Sequence, residues 1–479
     1  MGPSKDTAKN DLFSRRHVLV GFGLLGINAV LPPLPKVFAS GVARNFTSIE
    51  ELQNAIDLAN TGDVLTLAPG TYTDAEILVN RNGITISAQS AGKVIFNGAS
   101  KVSIKADSTV FNGFQFIDGD IEGIVIKVSG SKNQLIDLNF SGYSAEKYIN
   151  IEAGSQYNDI SYCNFENKPA SAPIGNLVGV IPHETIPGFN RIRFCSFKNL
   201  PGPGGDYGNE PIRLGVGAKS DFISRTTIEN CYWENTGLGD SESISIKSRE
   251  NVIRYCTFSN NQEGMLVFRN GNDNMAYGNT FINSGGIRVK EASNIFCFNN
   301  YFENSGFGDK GGSVVFDYIP GNLQNINFLF NTFINSAPII LGGKGAVLNS
   351  WSNNLFSYKS GAIFQDPNEG TKWVGNIYQG TLGLKPISGL KVGVPKFTKR
   401  VVDYFRPAIT SASRSSALPG FTSPVMYSGI TPTDPLSRDL FKTLRSAKKS
   451  LWDVGATQYL KVPAKAAWLS SKTTGPRYF

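Results

Sequence analysis

The sequence predicts an all-β chain wound as a right-handed parallel β-helix, with an N-terminal capping helix and a C-terminal extension. Three observations lead there. First, a motif recurs: an apolar residue, two variable ones, Cys or Asn, any residue, then an aromatic. It reads Ile160-Ser161-Tyr162-Cys163-Asn164-Phe165 and Ile192-Arg193-Phe194-Cys195-Ser196-Phe197, and returns at Trp233, Phe258, Phe281, Phe302, Phe333, Phe356 and Tyr378. Second, from Phe116 the aromatic positions are separated by 24, 25, 32, 36, 25, 23, 21, 31, 23 and 22 residues, a base period that marks a solenoid. Third, short β-rich runs joined by Asn and Gly turns, with almost no helical periodicity, favour stacked strands over a helical array.

At the N-terminus, Ser14-Arg15-Arg16-His17 precedes an apolar run from Val18 to Leu31, then prolines, then Val37-Phe38-Ala39. A twin arginine, a moderately apolar stretch and an A-x-A-like end read as an export signal over residues 1–39. The run is too short for a bilayer span, which takes about 20 apolar residues; the competing reading is a hydrophobic helix of the fold. The mature protein is expected in the periplasm or outside the cell, without a membrane span. Its net charge would drop from +8 to +5, since Lys5, Lys9, Arg15, Arg16 and Lys36 leave with Asp6 and Asp11. That modest excess would suit an anionic polymer of any kind.

Ser48 with Glu51 three residues on forms a capping-box pattern, and Leu52, Ala55, Ile56 and Ala59 recur at helical spacing. Residues 49–60 are therefore expected as a short helix covering the open end of the coils. A length of 479 residues would suggest about three domains at ~150 each, but a solenoid grows by repetition. Residues 40–379 read as one β-helical domain and residues 380–479 as an extension packed on or capping it. Within that extension a second helix is expected near 437–447 and a returning strand at Trp452–Ala456.

Cys163, Cys195, Cys231 and Cys256 hold one motif position in four successive coils. In-register neighbours lie ~4.8 Å apart with parallel Cβ vectors, which suits a disulfide poorly, so they are expected as small buried residues standing in for Asn. Once residues 1–39 leave, His183 is the one histidine, which disfavours histidine-rich metal sites and Ser-His-Asp catalysis. Three long intervals, ending at Phe197, Trp233 and Phe333, are expected as loops walling a cleft.

Between those walls lie DSESISIKS (Asp240–Ser248), LVFRNG (Leu266–Gly271) and SGGIRVK (Ser284–Lys290). Lys247 and Arg269 are 22 residues apart and Lys290 follows 21 later, so one coil period stacks these cations on one face. Asp240 and Glu242, at i and i+2, share a strand face, and with Asn209 and Glu210 one coil earlier they make an oxygen-rich pocket suited to Ca²⁺ rather than Zn²⁺. A solvated face of paired charges is the competing reading.

These motifs, with PIRLG and NSGGIRVKEASNIFCFNNYFEN, resemble polysaccharide lyase family six, the alginate lyases and chondroitinase-B-like enzymes. The resemblance covers most of residues 45–378. It implies Lys247 as Brønsted base, Arg269 as catalytic arginine, and Asn209, Asp240 and Glu242 as calcium ligands. It further implies Arg288 as a substrate contact, with Asn270 and Arg213 beside it. Asp240 stands where the family usually has glutamate, and Asn270 where it often has histidine. The implied reaction is β-elimination on an anionic uronan, alginate in the first place. The base should then be partly neutral, and a nearby calcium ion and arginines would disfavour its charged form. Chondroitin or dermatan sulfate is the alternative substrate, and a non-catalytic polysaccharide-binding β-helix the alternative class.

Overall fold

A computed structural model describes residues 41–479 apart from 202–208, 239–241, 262, 307–310, 318–322, 344–347, 369, 400–403, 426, 428, 431–433 and 462–467. The 1–39 segment and Asp240 thus lie outside the described residues. The chain is a parallel β-solenoid. Among the described residues the three parallel sheets hold 14, 14 and 12 strands, a complete coil giving one to each. One coil reads Thr227–Glu229 in the first sheet, Tyr232–Leu238 in the second and Glu242–Lys247 in the third.

Stacking in register turns the repeat into ladders. Phe116, Phe140, Phe165, Phe197, Trp233, Phe258, Phe281, Phe302, Phe333 and Phe356 are register partners along the second sheet, facing the core. Their rings stack at 4.4–5.3 Å between centroids. That spacing follows from the distance between adjacent strands, so one aromatic per coil fills the interior as a continuous column.

The Cys/Asn position sits at the corner between the first and second sheets, just after a residue in the left-handed region: Tyr162, Phe194, Asn230, Tyr255, Gly278, Asn299, Phe330, Asn353 or Gly375. The corner exposes backbone groups to the apolar core, and the side chain satisfies them. Asn300 Nδ2 donates to the Ala276 carbonyl at 2.9 Å, and its Oδ1 accepts from the Asn279 backbone N–H at 2.9 Å. Cys195 does the donor half of this, its thiol approaching the Ile160 carbonyl at 3.7 Å. All five cysteines are free and buried, and burial pushes the Cys163, Cys231 and Cys297 thiols up.

The N-terminal helix spans Ile49–Asp57 and buries Leu52, Ala55 and Ile56. Ser48 accepts from the Glu51 N–H, while the Glu51 carboxylate reaches back to Thr47. Gln53 bonds both the N–H and the carbonyl of Leu78, pairing the exposed edge of the third sheet.

The extension differs from expectation in two places. No α-helix forms near 437–447. Pro435–Ser437 is a single 3₁₀ turn, Arg438 bridges Leu444 in antiparallel fashion, and Lys442 takes a left-handed φ of 63°. The Asp439 carboxylate accepts from the N–H groups of Phe441 and Thr443 and so takes donors a helix would use. Trp452–Ala456 does return to the body, but as irregular chain, with the Gly455 N–H on the Asn353 carbonyl and the Ala456 N–H on Thr332 Oγ1, both at 2.9 Å. Among the described residues no helix is long and apolar enough to cross a membrane.

Candidate active site

The third sheet carries the charged cluster. On the Glu242–Lys247 strand, Ile244 and Ile246 face the core, so Ser245 and Lys247 face out. The next coil pairs Ile246 with Phe268, which sets Lys247 and Arg269 at the following, adjacent positions. Gly215 pairs with Lys247, Arg269 with Lys290, and Lys290 with Asp317. A second outward row runs Arg213, Ser245, Val267, Arg288, Val315. The one-coil spacing read from the sequence does therefore gather these cations on one face.

Glu242 is placed by an irregularity. Strict alternation would send its side chain inward with Ile244 and Ile246. The register shifts between Glu242 and Ile244, a bulge of the kind that re-aims a side chain beside a functional site. The Glu242 carboxylate, almost fully buried, meets Arg269 Nη1 at 2.8 Å. Burial raises its pKa, but the nearby Ser245 hydroxyl and the charges of Arg269 and Lys247 outweigh that and hold it below the ordinary range.

A second buried carboxylate organises the base. Glu210 is 3% exposed and accepts from Lys247 Nζ at 3.2 Å on one oxygen and from Arg213 Nε on the other. Its neighbour Asn209 is as deeply buried and accepts on Oδ1 from Lys168 Nζ at 2.8 Å. Lys168 comes from the first of the long intervals; burial lowers its pKa to about 8, against a smaller rise from Glu146. Arg288 is held by Asp317, Nε to Oδ2 at 2.5 Å. Asn270, in the left-handed region with φ 62°, turns its amide to Glu291.

Lys247, Arg269, Glu242, Arg213 and Asn209 thus come together on one face of the third sheet, with Arg288 further along it. Glu210 appeared in the sequence only as a polar neighbour; its role in gripping both Lys247 and Arg213 was not legible from spacing. Lys168 and Glu291 gave no signal, because they approach through a loop or the next coil; Asp317 stands out in the sequence only as part of the third long interval.

Matched against family descriptions, residues 46–343 fit the chondroitinase B model. The chain belongs to the chondroitinase B family. Among solved structures it is similar to a PL6 family alginate lyase, AlyGC in a mutant form, with a TM-score of 0.69 and 22% identity over 89% of this chain and 60% of that one. This chain therefore spans 60% of the length of that enzyme. It is also similar to the PL6 family polysaccharide lyase Pedsa3628 from Pseudopedobacter saltans, with a TM-score of 0.62 and 22% identity over 91% of this chain and 99% of that one. A third is a mannuronic acid specific polysaccharide family 6 lyase from human gut microbiota, with a TM-score of 0.59 and 22% identity over 73% of this chain and 90% of that one. No curated protein sequence matches the chain.

The calcium ion expected from the family resemblance can be tested against the donors in this chondroitinase B relative. Asp240 lies outside the described residues, so the test falls on Asn209 and Glu242. Of the expected ligands, Glu242 faces Arg269 and the Asn209 oxygen faces Lys168. With a Ca–O distance of about 2.4 Å, a calcium ion on the Asn209 oxygen would sit at most about 5 Å from the Lys168 ammonium. At an effective dielectric of ~20 that is a repulsion of roughly 6 kcal/mol. As they stand, Asn209 and Glu242 do not fit a dication, and no step below is routed through one.

Proposed function

We propose that this protein is a polysaccharide lyase that cleaves an anionic uronan, alginate in the first place, by β-elimination. The observation that carries the reading is the pair of outward cations at the ends of adjacent strands, Lys247 and Arg269, each gripped by its own buried carboxylate. A merely solvated charged face would not bury Glu210 and Glu242 to hold them. Alginate is favoured because the similar structures include alginate lyases; chondroitin or dermatan sulfate is the second substrate, favoured by the name of the matching family model.

The chemistry follows from the residue types. The C5 proton of a uronate lies α to an ionised carboxylate and is weakly acidic until that charge is offset. Arg269 and Arg213, with side chains 38% and 30% exposed, can pair the carboxylate and stabilise the charge that develops on it. Lys247, in its neutral form, takes the C5 proton; the electron pair becomes the C4–C5 double bond, and the C4–O bond breaks. The departing glycosidic oxygen takes a proton from Arg269, a tyrosine or water. Glu210 holds Lys247 in place, and the proton that Lys247 gains passes to solvent water before the next turnover.

Purified protein should generate the absorbance of an unsaturated uronate from alginate. Lys247→Ala should lower kcat/KM by roughly 10²–10⁴, the usual yield of a positioned base, and Arg269→Ala by about 10²–10³, with folding by circular dichroism unchanged. Absence of that absorbance from every alginate block, dermatan and chondroitin sulfate would end the lyase reading. We also propose that residues 1–39 direct export, which fusion of that segment to a reporter and fractionation would test.

A further inference from the structure

Lys168 is 1% exposed, and all its ammonium protons are matched: Asn209 Oδ1 at 2.8 Å, the Pro173 carbonyl at 2.9 Å and the Glu146 carbonyl at 3.4 Å. A lysine so deeply buried is uncommon and is tolerated only with its hydrogen bonds made. It belongs to the long interval between Phe165 and Phe197, an insertion relative to the base period, and it reaches across coils to a residue 41 positions on. Its target is the amide oxygen expected to ligate a metal. The adjoining Glu210 carries Lys247 and Arg213, so the Asn209–Glu210 pair is bracketed by three fixed cations.

We infer that Lys168 is a built-in cation that occupies the electrostatic place of a divalent metal in this cleft, so that uronate binding by this protein is independent of calcium. The inference rests on reading the cleft as a lyase site. Lys168 acts through Asn209: by holding Oδ1, it fixes which way the planar amide is turned and keeps that oxygen from a metal ion. The positive charge that offsets the substrate carboxylate is then supplied covalently, by Lys168 behind Asn209 and by Arg213 and Arg269 at the surface.

The test uses calcium chloride as probe on the full chain and on Lys168→Met, which fills the space of the lysine stem as far as Cε without the charged ammonium. For the native protein, calorimetry should give no stoichiometric calcium heat, thermal unfolding should not shift with calcium, and exhaustive chelation should leave the rate within about two-fold. Lys168→Met should raise KM for the uronan at least ten-fold with a smaller change in kcat, and millimolar calcium should recover part of the loss. A one-to-one calcium heat with a rise in melting temperature in the native protein would overturn the inference, and so would a Lys168→Met enzyme with native KM. Should that variant not fold, the native calorimetry still decides. Because calcium binding is read without turnover, a protein that cleaved no polymer would refute the lyase reading and leave this result standing.

Discussion

At the scale of single residues, buried carboxylates do most of the organising. Glu229 shows the physics away from the cleft. It sits 9% exposed between Arg191 at 2.9 Å and Arg254 at 2.7 Å. Burial raises its pKa, but the two guanidinium charges outweigh this and bring it to about 2. A carboxyl depressed in the fold stabilises it above the unfolded pKa near 4.5, and that stabilisation fades as pH falls toward 2. The depression corresponds to about 3 kcal/mol at neutral pH. Glu229→Gln should therefore cost stability at pH 7 and lose that deficit as pH falls from about 4.5 to 2, as denaturant midpoints across pH would show. Glu210 uses the same arrangement for function. Glu210→Gln keeps the shape but weakens the grip on Lys247 and Arg213, so kcat should fall by at least ten-fold, with some loss of melting temperature as for Glu229→Gln. A variant with native kcat would show that Lys247 needs no such grip.

At the scale of elements, the corner ladder is what the sequence made most legible. One residue in each coil faces a carbonyl and an N–H at a buried bend; Asn meets both, and Cys meets the carbonyl. Asn300→Ala would strand the Ala276 carbonyl and the Asn279 N–H, costing about 2–4 kcal/mol for two buried groups. Asn300→Cys should cost about half, because the thiol of Cys195 already meets the equivalent carbonyl; urea midpoints of the two variants give the comparison. The ladders could be read in advance because each depends on spacing alone. Placement of Lys247 beside Arg269 was legible for the same reason. Glu242 was legible as a site residue, but its bulge was not, since alternation alone points it into the core. Lys168 was invisible, because its contact is made by an insertion whose path no period fixes. The expected helix at 437–447 failed for a related reason: the local pattern allowed it, and Asp439 with a left-handed Lys442 settled the backbone otherwise.

At the scale of the whole molecule, the extension changes how the solenoid holds together. A stack of coils touches only its neighbours, so it can fray from either end. Here the chain, having reached the last coils, runs back along the stack. Leu418 bonds Asn353, Ala456 bonds Thr332, Arg445 reaches Asn299, Leu469 bonds Thr257, Gly475 bonds Phe194, and Arg477 clasps Asp137 through Nε and Nη2. The final bond joins residues 340 positions apart. Each contact ties a later segment to an earlier coil, so opening one end must break contacts made by chain from the other. A strap of this kind should turn a frayable stack into a cooperative unit. Deleting residues 468–479 removes the Thr257, Phe194 and Asp137 attachments and leaves the catalytic face untouched. With the exposed Arg477 contributing no more than about 1 kcal/mol, the melting temperature should fall by roughly 2–5 °C, turnover at 25 °C should persist, and calorimetric unfolding should broaden. An unchanged, equally sharp transition would mean that the coils are cooperative by stacking alone.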